Sequence, residues 1–342
     1  MTGPKSKSSP AASPMPTSYD VAQRAGVSQS AVSRCFRPGS SISAKTRARV
    51  IAAAHELGYQ PNAMASGLIT KRSNLVAIVI SNLTNLYYPE VLAELTRRLS
   101  DRGIRVLLFA LQAESDLDAM LDQVWRYRVD GAIIAARLAP EQLREFANRG
   151  VPVVLYNRFG EGEAVSSVCC DSIGGERQLV ERLVAAGHES FGIISGPADS
   201  YVSQERVHGA VQRLQELHRD AIVVDGAFDY DSGGQGLREL LKRTDRRLDA
   251  LICANDLMAI GAIDCARHEF GLAVPGDLSI VGFDGVAPAR WASYRLSTVR
   301  QPVGRMTEAA VVMVLERIAD FSLSPEVRTF AGSLIEGNSA RL

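Results

Sequence analysis

The chain is poor in cysteine and has no long apolar run, and each shortage narrows what it can be. It holds five cysteines in 342 residues, an odd number without Cys-x-x-Cys spacing. That argues against a disulfide or zinc framework and for a reducing compartment, the cytoplasm. Cys169 and Cys170 are adjacent on a strand-like stretch, so their side chains point oppositely and do not readily share a ligand. The longest apolar runs, residues 75–80 and 151–156, fall far short of the ~20 residues a membrane helix needs. Residues 1–16 are rich in Ser, Pro and Ala and have no apolar segment, so they read as a disordered tail and not as a signal peptide. Catalytic signatures are missing too: there is no HExxH, GxSxG, Walker loop or GxGxxG. The histidines (His55, His188, His208, His218 and His268) are scattered without metal-ligand spacing. No catalytic residue, metal or cofactor is expected, and an enzyme is disfavoured.

What is present is a segregation of charge. The chain is formally neutral, yet residues 1–72 carry ten Lys/Arg against Asp20 and Glu56, a net +8. The remainder carries 28 basic and 36 acidic residues, a net −8. A small basic domain joined to a larger acidic one points to a polyanion partner at one end.

The basic segment reads as three short helices. Thr17-x-x-Asp20 has the outline of a capping box, Gly26 supplies a turn, and Ser28 caps a second helix. On that helix Val32, Cys35 and Phe36 share one side, while Gln29, Ser30, Ser33 and Arg34 share the other. Small polar residues with a Gln and an Arg suit the major groove, where Gln pairs with adenine and Arg with guanine. Ser43 caps a third helix to Leu57, with Val50, Ala53, Ala54 and Leu57 inward and Lys45, Arg47 and Arg49 free for phosphates.

From residue 75 onward, apolar runs at 75–80, 104–109, 131–135, 151–156, 191–195, 250–253 and 278–283 alternate with amphipathic helical segments. This alternation predicts parallel sheets covered on both faces, and the length favours two such lobes. Ligands of such sheets bind beyond the strand carboxyl ends. The loops there are rich in Tyr, Asn, Asp, Arg and Gln, a mixture suited to a polyol: rings cover C–H faces and planar polar groups bind hydroxyls.

The order Val27–Arg34, then 43–50, then GYQPNAMASGL (58–68) resembles the headpiece and hinge of lactose-repressor (LacI/GalR) type regulators. The stretches ISGPADSYVSQERVHGA, ICANDLMAIGA, GLAVPGDLSIVGFDG and LSTVRQP extend the resemblance to the same regulators' effector domain, itself similar to periplasmic sugar-binding proteins. The implied fold is a small all-α helix-turn-helix headpiece plus an α/β effector domain of two doubly wound parallel-sheet lobes, periplasmic binding protein type I-like. The implied boundaries are tail 1–16, DNA-binding domain 17–58, hinge 59–72 and effector domain 73–342. Its first lobe would be about 73–170 and 303–322, its second about 171–300 and 325–342.

The resemblance also implies residue roles. Gln29, Ser30 and Arg34 would meet base edges. Thr17, Ser28, Ser33 and Asn62 would contact or position the DNA backbone, Ala65 would be a further DNA-binding position, and Leu68 would wedge into the minor groove at the operator centre. Ser18 stands where the family usually has an apolar residue, so the first helix is expected to be less firmly seated. Ser66-Gly67 implies a hinge that becomes helical only on DNA. Asn85, Tyr87, Tyr88, Asn157, Arg158, Arg206, Phe228, Asn255, Asp284 and Gln301 match effector-site positions, and Asp171 is added as either a ligand or a helix cap. Tyr87 and Tyr88 would point to opposite faces if extended. Asn157 replaces a carboxylate of ribose-type sites. The expected protein is a homodimeric transcriptional repressor on a pseudo-palindromic operator, controlled by a small molecule, a sugar or sugar derivative, bound between the lobes. A purine-type corepressor and an effector-independent architectural DNA binder stand as alternatives.

Overall fold

The computed structural model describes residues 15–36, 40–60, 72–81, 83, 85–111, 117–160, 162–244 and 248–342. The chain divides into two compact units, Met1–Ser73 and Asn74–Leu342. Asn62, Ala65, Leu68 and the expected hinge transition lie outside the described residues.

The first unit holds helices α1 (Ser18–Ala25), α2 (Gln29–Cys35) and α3 (Ala44–Leu57). Each begins on a hydroxyl cap. Thr17 and Asp20 form a reciprocal box, in which the Thr17 amide donates to Asp20 Oδ2 at 2.7 Å. Ser28 Oγ accepts from Ala31 N and Ser43 Oγ from Thr46 N, both at 3.2 Å. Gly26 closes α1 in the left-handed region at φ 60°, where a side chain is strained. Val21, Val32 and Val50 are fully buried at the centre, with Ala22, Ala25, Cys35, Ala53 and Ala54 around them. Each such valine contributes about 1.5–3 kcal/mol. Two arginines expected to be free for phosphate are engaged instead. Arg47 Nη1 donates to Cys35 O at 2.7 Å and Arg49 Nη2 to Ala25 O at 2.5 Å. They supply donors to the last carbonyls of α2 and α1, groups that a helix leaves unpaired.

The second unit is two α/β lobes. The first comprises β1 (Leu75–Ser81), α4 (Tyr87–Asp101), β2 (Arg105–Leu111), α5 (Leu117–Arg126), β3 (Gly131–Ala135), α6 (Pro140–Asn148), β4 (Val153–Tyr156) and β5 (Ser166–Cys170). The second comprises α7 (Ser172–Ala185), β6 (Phe191–Ile194), α8 (Tyr201–Glu216), β7 (Ala221–Val224), α9 (Tyr230–Arg243), β8 (Ala250–Cys253), α10 (Asp256–His268), β9 (Ser279–Asp284) and β10 (Ser297–Arg300). The chain then returns to the first lobe with α11 (Val303–Ala319) and β11 (Val327–Phe330), and ends in the second with β12 (Ser333–Ile335).

The first sheet runs β2-β1-β3-β4-β5-β11, all parallel; the second runs β7-β6-β8-β9-β10-β12, parallel except for the β10–β12 pair. Both orders reverse direction after the first strand, which opens a crevice at β1/β3 and at β6/β8 where ligands of such folds sit. The lobe boundary needs one correction. Residues 327–330 were expected in the second lobe, but Val327–Phe330 pairs with Ser167–Cys170 of the first. The α11 helix carries the chain along the first-lobe sheet, so the strand that follows it adds to that sheet's open edge.

Helices α9 and α10 touch through glycine. A Cβ at Gly261 would stand 2.0 Å from Tyr230 O, and one at Gly233 2.0 Å from Met258 O. Gly261→Val is therefore expected to reach the upper end of the about 1–3 kcal/mol that overpacking costs. A clearly lowered melting temperature checks this, and an unchanged one contradicts it. No helix among the described residues is long and apolar enough to cross a membrane.

Candidate functional site

The outer face of α2 presents Ser30 and Arg34, both exposed, with Gln29 and Ser33 half-buried beside them. Its inner face, Val32 and Cys35, is locked into the core, so the polar side is held outward. Gln29 Nε2 donates to Ser18 Oγ at 3.2 Å, which joins α1 to the reading helix. Ser18, the position lacking the usual apolar side chain, thus has a polar contact across the turn. Among the described residues Arg34 Nε reaches Ser30 O at 3.4 Å, a weak bond.

In the second unit a cavity of about 230 Å³ opens between the lobes. Its walls are the loops after β1, β4, β6, β7, β9 and β10, as the sheet orders require. Three wall residues have positive φ: Asn157 at 52°, Phe228 at 62° and Asp284 at 118°. Such conformations cost of order 1–3 kcal/mol each and collect where function is served. Gly196 makes room for one of them, since a Cβ there would stand 2.3 Å from the Phe228 ring.

A polar chain crosses the cavity floor from lobe to lobe. Tyr156 and Tyr87 share a hydroxyl–hydroxyl bond at 3.2 Å, and Asn157 Nδ2 lies 3.4 Å from the Tyr87 oxygen. Asn157 Nδ2 donates to Gln301 Oε1 at 2.8 Å, and Gln301 Nε2 donates to Asp284 Oδ1 at 2.7 Å. That same oxygen accepts from Arg206 Nη2 at 2.7 Å. Arg206 also donates to Ala254 O at 2.5 Å, and its guanidinium lies 3.9 Å over the Phe283 ring. Burial raises the Asp284 carboxyl, against the opposing pull of Arg206 and Gln301. Two contacts flank the cavity: Arg300 Nη2 donates to Glu90 Oε1 at 2.7 Å, and the Phe159 and Tyr201 rings meet edge-on at 5.3 Å.

Nine of the expected effector positions line this cavity: Asn85, Tyr87, Tyr88, Asn157, Arg158, Arg206, Phe228, Asp284 and Gln301. Asp171 and Asn255 do not. Asp171 caps α7 through a 2.8 Å bond from Gly174 N. Asn255 caps α10 and donates to Phe228 O at 3.0 Å, so it supports the turn that carries Phe228. Tyr87 and Tyr88 are not extended. They open α4, both buried, with rings edge-on at 5.5 Å and the Tyr87 amide donating to Asn85 Oδ1 at 3.1 Å. Ser81, Pro197, Asp199, Ser200 and Val202 complete the wall and were not singled out. Loop position after β1 and β6 was the signal for them, but four of the five are small or apolar.

A basic helix-turn-helix unit on one chain with a two-lobed, ligand-sized cleft defines a class: DNA-binding regulators with a periplasmic-binding-protein-like domain. Residues 17–62 match the profile "Bacterial regulatory proteins, lacI family", and residues 180–340 match "Periplasmic binding protein-like domain". The chain belongs to the lacI family of bacterial regulatory proteins. It is 31% identical over 334 residues to the HTH-type transcriptional repressor PurR of Yersinia enterocolitica, covering 95% of this chain and 97% of that one. It is also 31% identical over 334 residues to the HTH-type transcriptional regulator AscG of Escherichia coli (95% and 98%). Among solved structures, the lac repressor dimer bound to operator and the anti-inducer ONPF aligns with a TM-score of 0.84 at 27% identity, over 95% of this chain and 99% of that one. The regulator CelR in complex with cellobiose aligns at 0.72 and 31% identity, over 95% and 100%.

Proposed function

We propose that this protein is a sequence-specific transcriptional repressor, a regulator and not an enzyme, which acts in the cytoplasm as a homodimer on a pseudo-palindromic operator. The observation that carries this reading is the outward polar face of α2, buttressed by a fully packed core, on the same chain as a cavity with polar groups from both lobes. Gln29, Ser30 and Arg34 are assigned to base edges, and Thr17, Ser28 and Ser33 to the DNA backbone. Asn62, Ala65 and the Leu68 wedge keep the roles that the family resemblance implies. A small polyol, a sugar or sugar derivative, is assigned to the cavity: tyrosine and phenylalanine rings cover its C–H faces while Asn157, Arg206, Asp284 and Gln301 hold hydroxyls. Ligand that favours one arrangement of the lobes shifts DNA affinity by the differential it supplies, about 5–150-fold for 1–3 kcal/mol of coupling. CelR with cellobiose supports a sugar, whereas PurR keeps a purine-type effector as the second reading, which the two tyrosines would also suit.

Arg34→Ala tests the headpiece assignment. It is expected to cost about 1–3 kcal/mol on a selected duplex and to relax preference at one base pair per half-site. Fluorescence anisotropy against a set of single-base variants reads this. Equal weakening on every sequence would instead make Arg34 a phosphate contact.

A further inference from the structure

Four charged residues line the effector cavity: Arg158, Asp199, Arg206 and Asp284. Arg206 and Asp284 neutralise each other at 2.7 Å. Asp199 is exposed, in the turn before α8, where water screens it. Arg158 remains. It is only 7% exposed, its Nη1 donates to its own neighbour's carbonyl (Asn157 O, 2.8 Å), and its Nε is buried without a hydrogen-bond partner among the described residues. Among the described residues no carboxylate pairs with it. Its sequence neighbour is the amide Asn157, whose oxygen is taken by Cys170 N at 2.9 Å. Glu205 is hydrogen-bonded to Tyr201 on α8. A buried guanidinium with no counter-ion among the described residues is costly, because burial is tolerated only where a charge is paired.

A second feature points to the same place. The sixteen-residue helix α8 starts at the cavity, with Ser200 and Val202 on its wall and no acidic residue in its first turn. Ser200 Oγ takes the Ser203 amide as the cap, and the positive end of the helix dipole at that start still favours an anion. The space is small, about 230 Å³ against the roughly 300–1,000 Å³ of ordinary ligand pockets.

Resting on the effector reading above, we propose that the ligand is a compact polyol bearing one acidic group, a carboxylate or a phosphate ester, which Arg158 receives beside the start of α8. The planar fork of the guanidinium matches either oxyanion through two parallel N–H···O bonds. The aromatic wall and the Asn157–Gln301–Asp284 chain hold the uncharged remainder.

The test uses the full-length protein and a matched panel: glucose, galactose and mannose, each as the neutral sugar, the aldonate, the uronate and the 6-phosphate. Inorganic phosphate is titrated alongside. Binding is read by calorimetry on wild type, Arg158→Met and Arg158→Lys, with circular dichroism confirming the fold of each. At least one acidic member is expected to bind wild type about tenfold or more tighter than its neutral counterpart. Arg158→Met should lose that preference, and Arg158→Lys, which keeps charge without the fork, should retain part of it. Which acid wins separates carboxylate from phosphate ester. Should Arg158→Met not fold, an undiminished preference in Arg158→Lys overturns the proposal. A neutral sugar that binds as tightly as its acids, or a preference that survives Arg158→Met, overturns the acidic group and leaves the effector reading standing. No binding by any member or by phosphate overturns both.

Discussion

Arg206→Ala is expected to abolish the response to effector and to lower the melting temperature by roughly ten degrees. Arg206 is 3% exposed and is the only side chain among the described residues to form an ion pair with Asp284. Its removal leaves the Asp284 carboxylate buried with Gln301 as its remaining side-chain donor. Breaking one partner out of a buried pair costs about 3–5 kcal/mol, and each kcal/mol shifts the melting point of a domain of about 150–250 residues by ~2–4 °C. The guanidinium also stacks on Phe283 and holds Ala254 O, so its loss loosens the ends of β8 and β9 together. Adding Asp284→Asn should recover much of the stability, because the orphaned charge is then gone, but not the ligand response. Thermal melts of both single variants and the double variant read the coupling. Additive losses would contradict the account of this pair.

The second large effect concerns Glu176 on α7. Its side chain is fully buried and neither carboxyl oxygen has a hydrogen-bond partner among the described residues. Burial pushes its pKa up to about 8, with Arg206 opposing and Asp284 adding to the rise. Between the ordinary value of 4.5 and about 8, the folded protein binds this proton and the unfolded chain does not. Stability from this group is therefore complete below pH 4.5 and is lost as pH rises through about 8. The slope is about 1.4 kcal/mol per pH unit inside the window, several kcal/mol across it. Glu176→Gln cannot ionise. It should match wild type near pH 5 and be several kcal/mol more stable near pH 8. Asp256, raised by burial to about 8 as well, tilts both proteins equally, so the difference between them isolates Glu176. Parallel melting profiles from pH 5 to 8 would refute this assignment.

Much of the fold is legible in the residues, and the exceptions have physical causes. The apolar runs at 75–80, 131–135 and 250–253 announce central parallel strands because both faces are buried there. Ser166–Cys170 and Ser297–Arg300 are equally buried but carry hydroxyls, so no apolar run marks them in full. Those of the second strand are satisfied inside: Thr298 Oγ1 donates to Asp256 Oδ1 at 2.5 Å, and Ser297 Oγ accepts from Gly337 N at 3.0 Å; in the first, Ser167 Oγ is buried without a hydrogen-bond partner among the described residues. Val327–Phe330 and Ser333–Ile335 are short, partly exposed edge strands with too little pattern to read, which is why the lobe boundary slipped there. In the headpiece, the caps and inward faces follow from residue type and spacing. The roles of Arg47 and Arg49 do not, because spacing says which side a side chain leaves but not which carbonyl lies within reach.

The cavity divides the same way. Residues beyond strand ends with planar polar or aromatic groups stand out, and the sheet orders bring them together. Asp171 and Asn255 have the same chemistry and the same strand-end position, yet each turns toward the following helix as its cap. A side-chain oxygen just before a helix serves either use, and only coordinates tell which. That Arg158 has no carboxylate partner among the described residues is likewise invisible in sequence, since it depends on where acids such as Asp199 and Glu205 are placed.

If one chain couples sequence-specific DNA reading to a ligand cavity, selection of random duplex DNA by the purified protein at near-physiological salt should reveal it. Recovery of a pseudo-palindrome with a flexible pyrimidine–purine step at its centre is expected, the signature of paired reading helices and a central wedge. Recovery of no motif, or of a single site without two-fold symmetry, would contradict it.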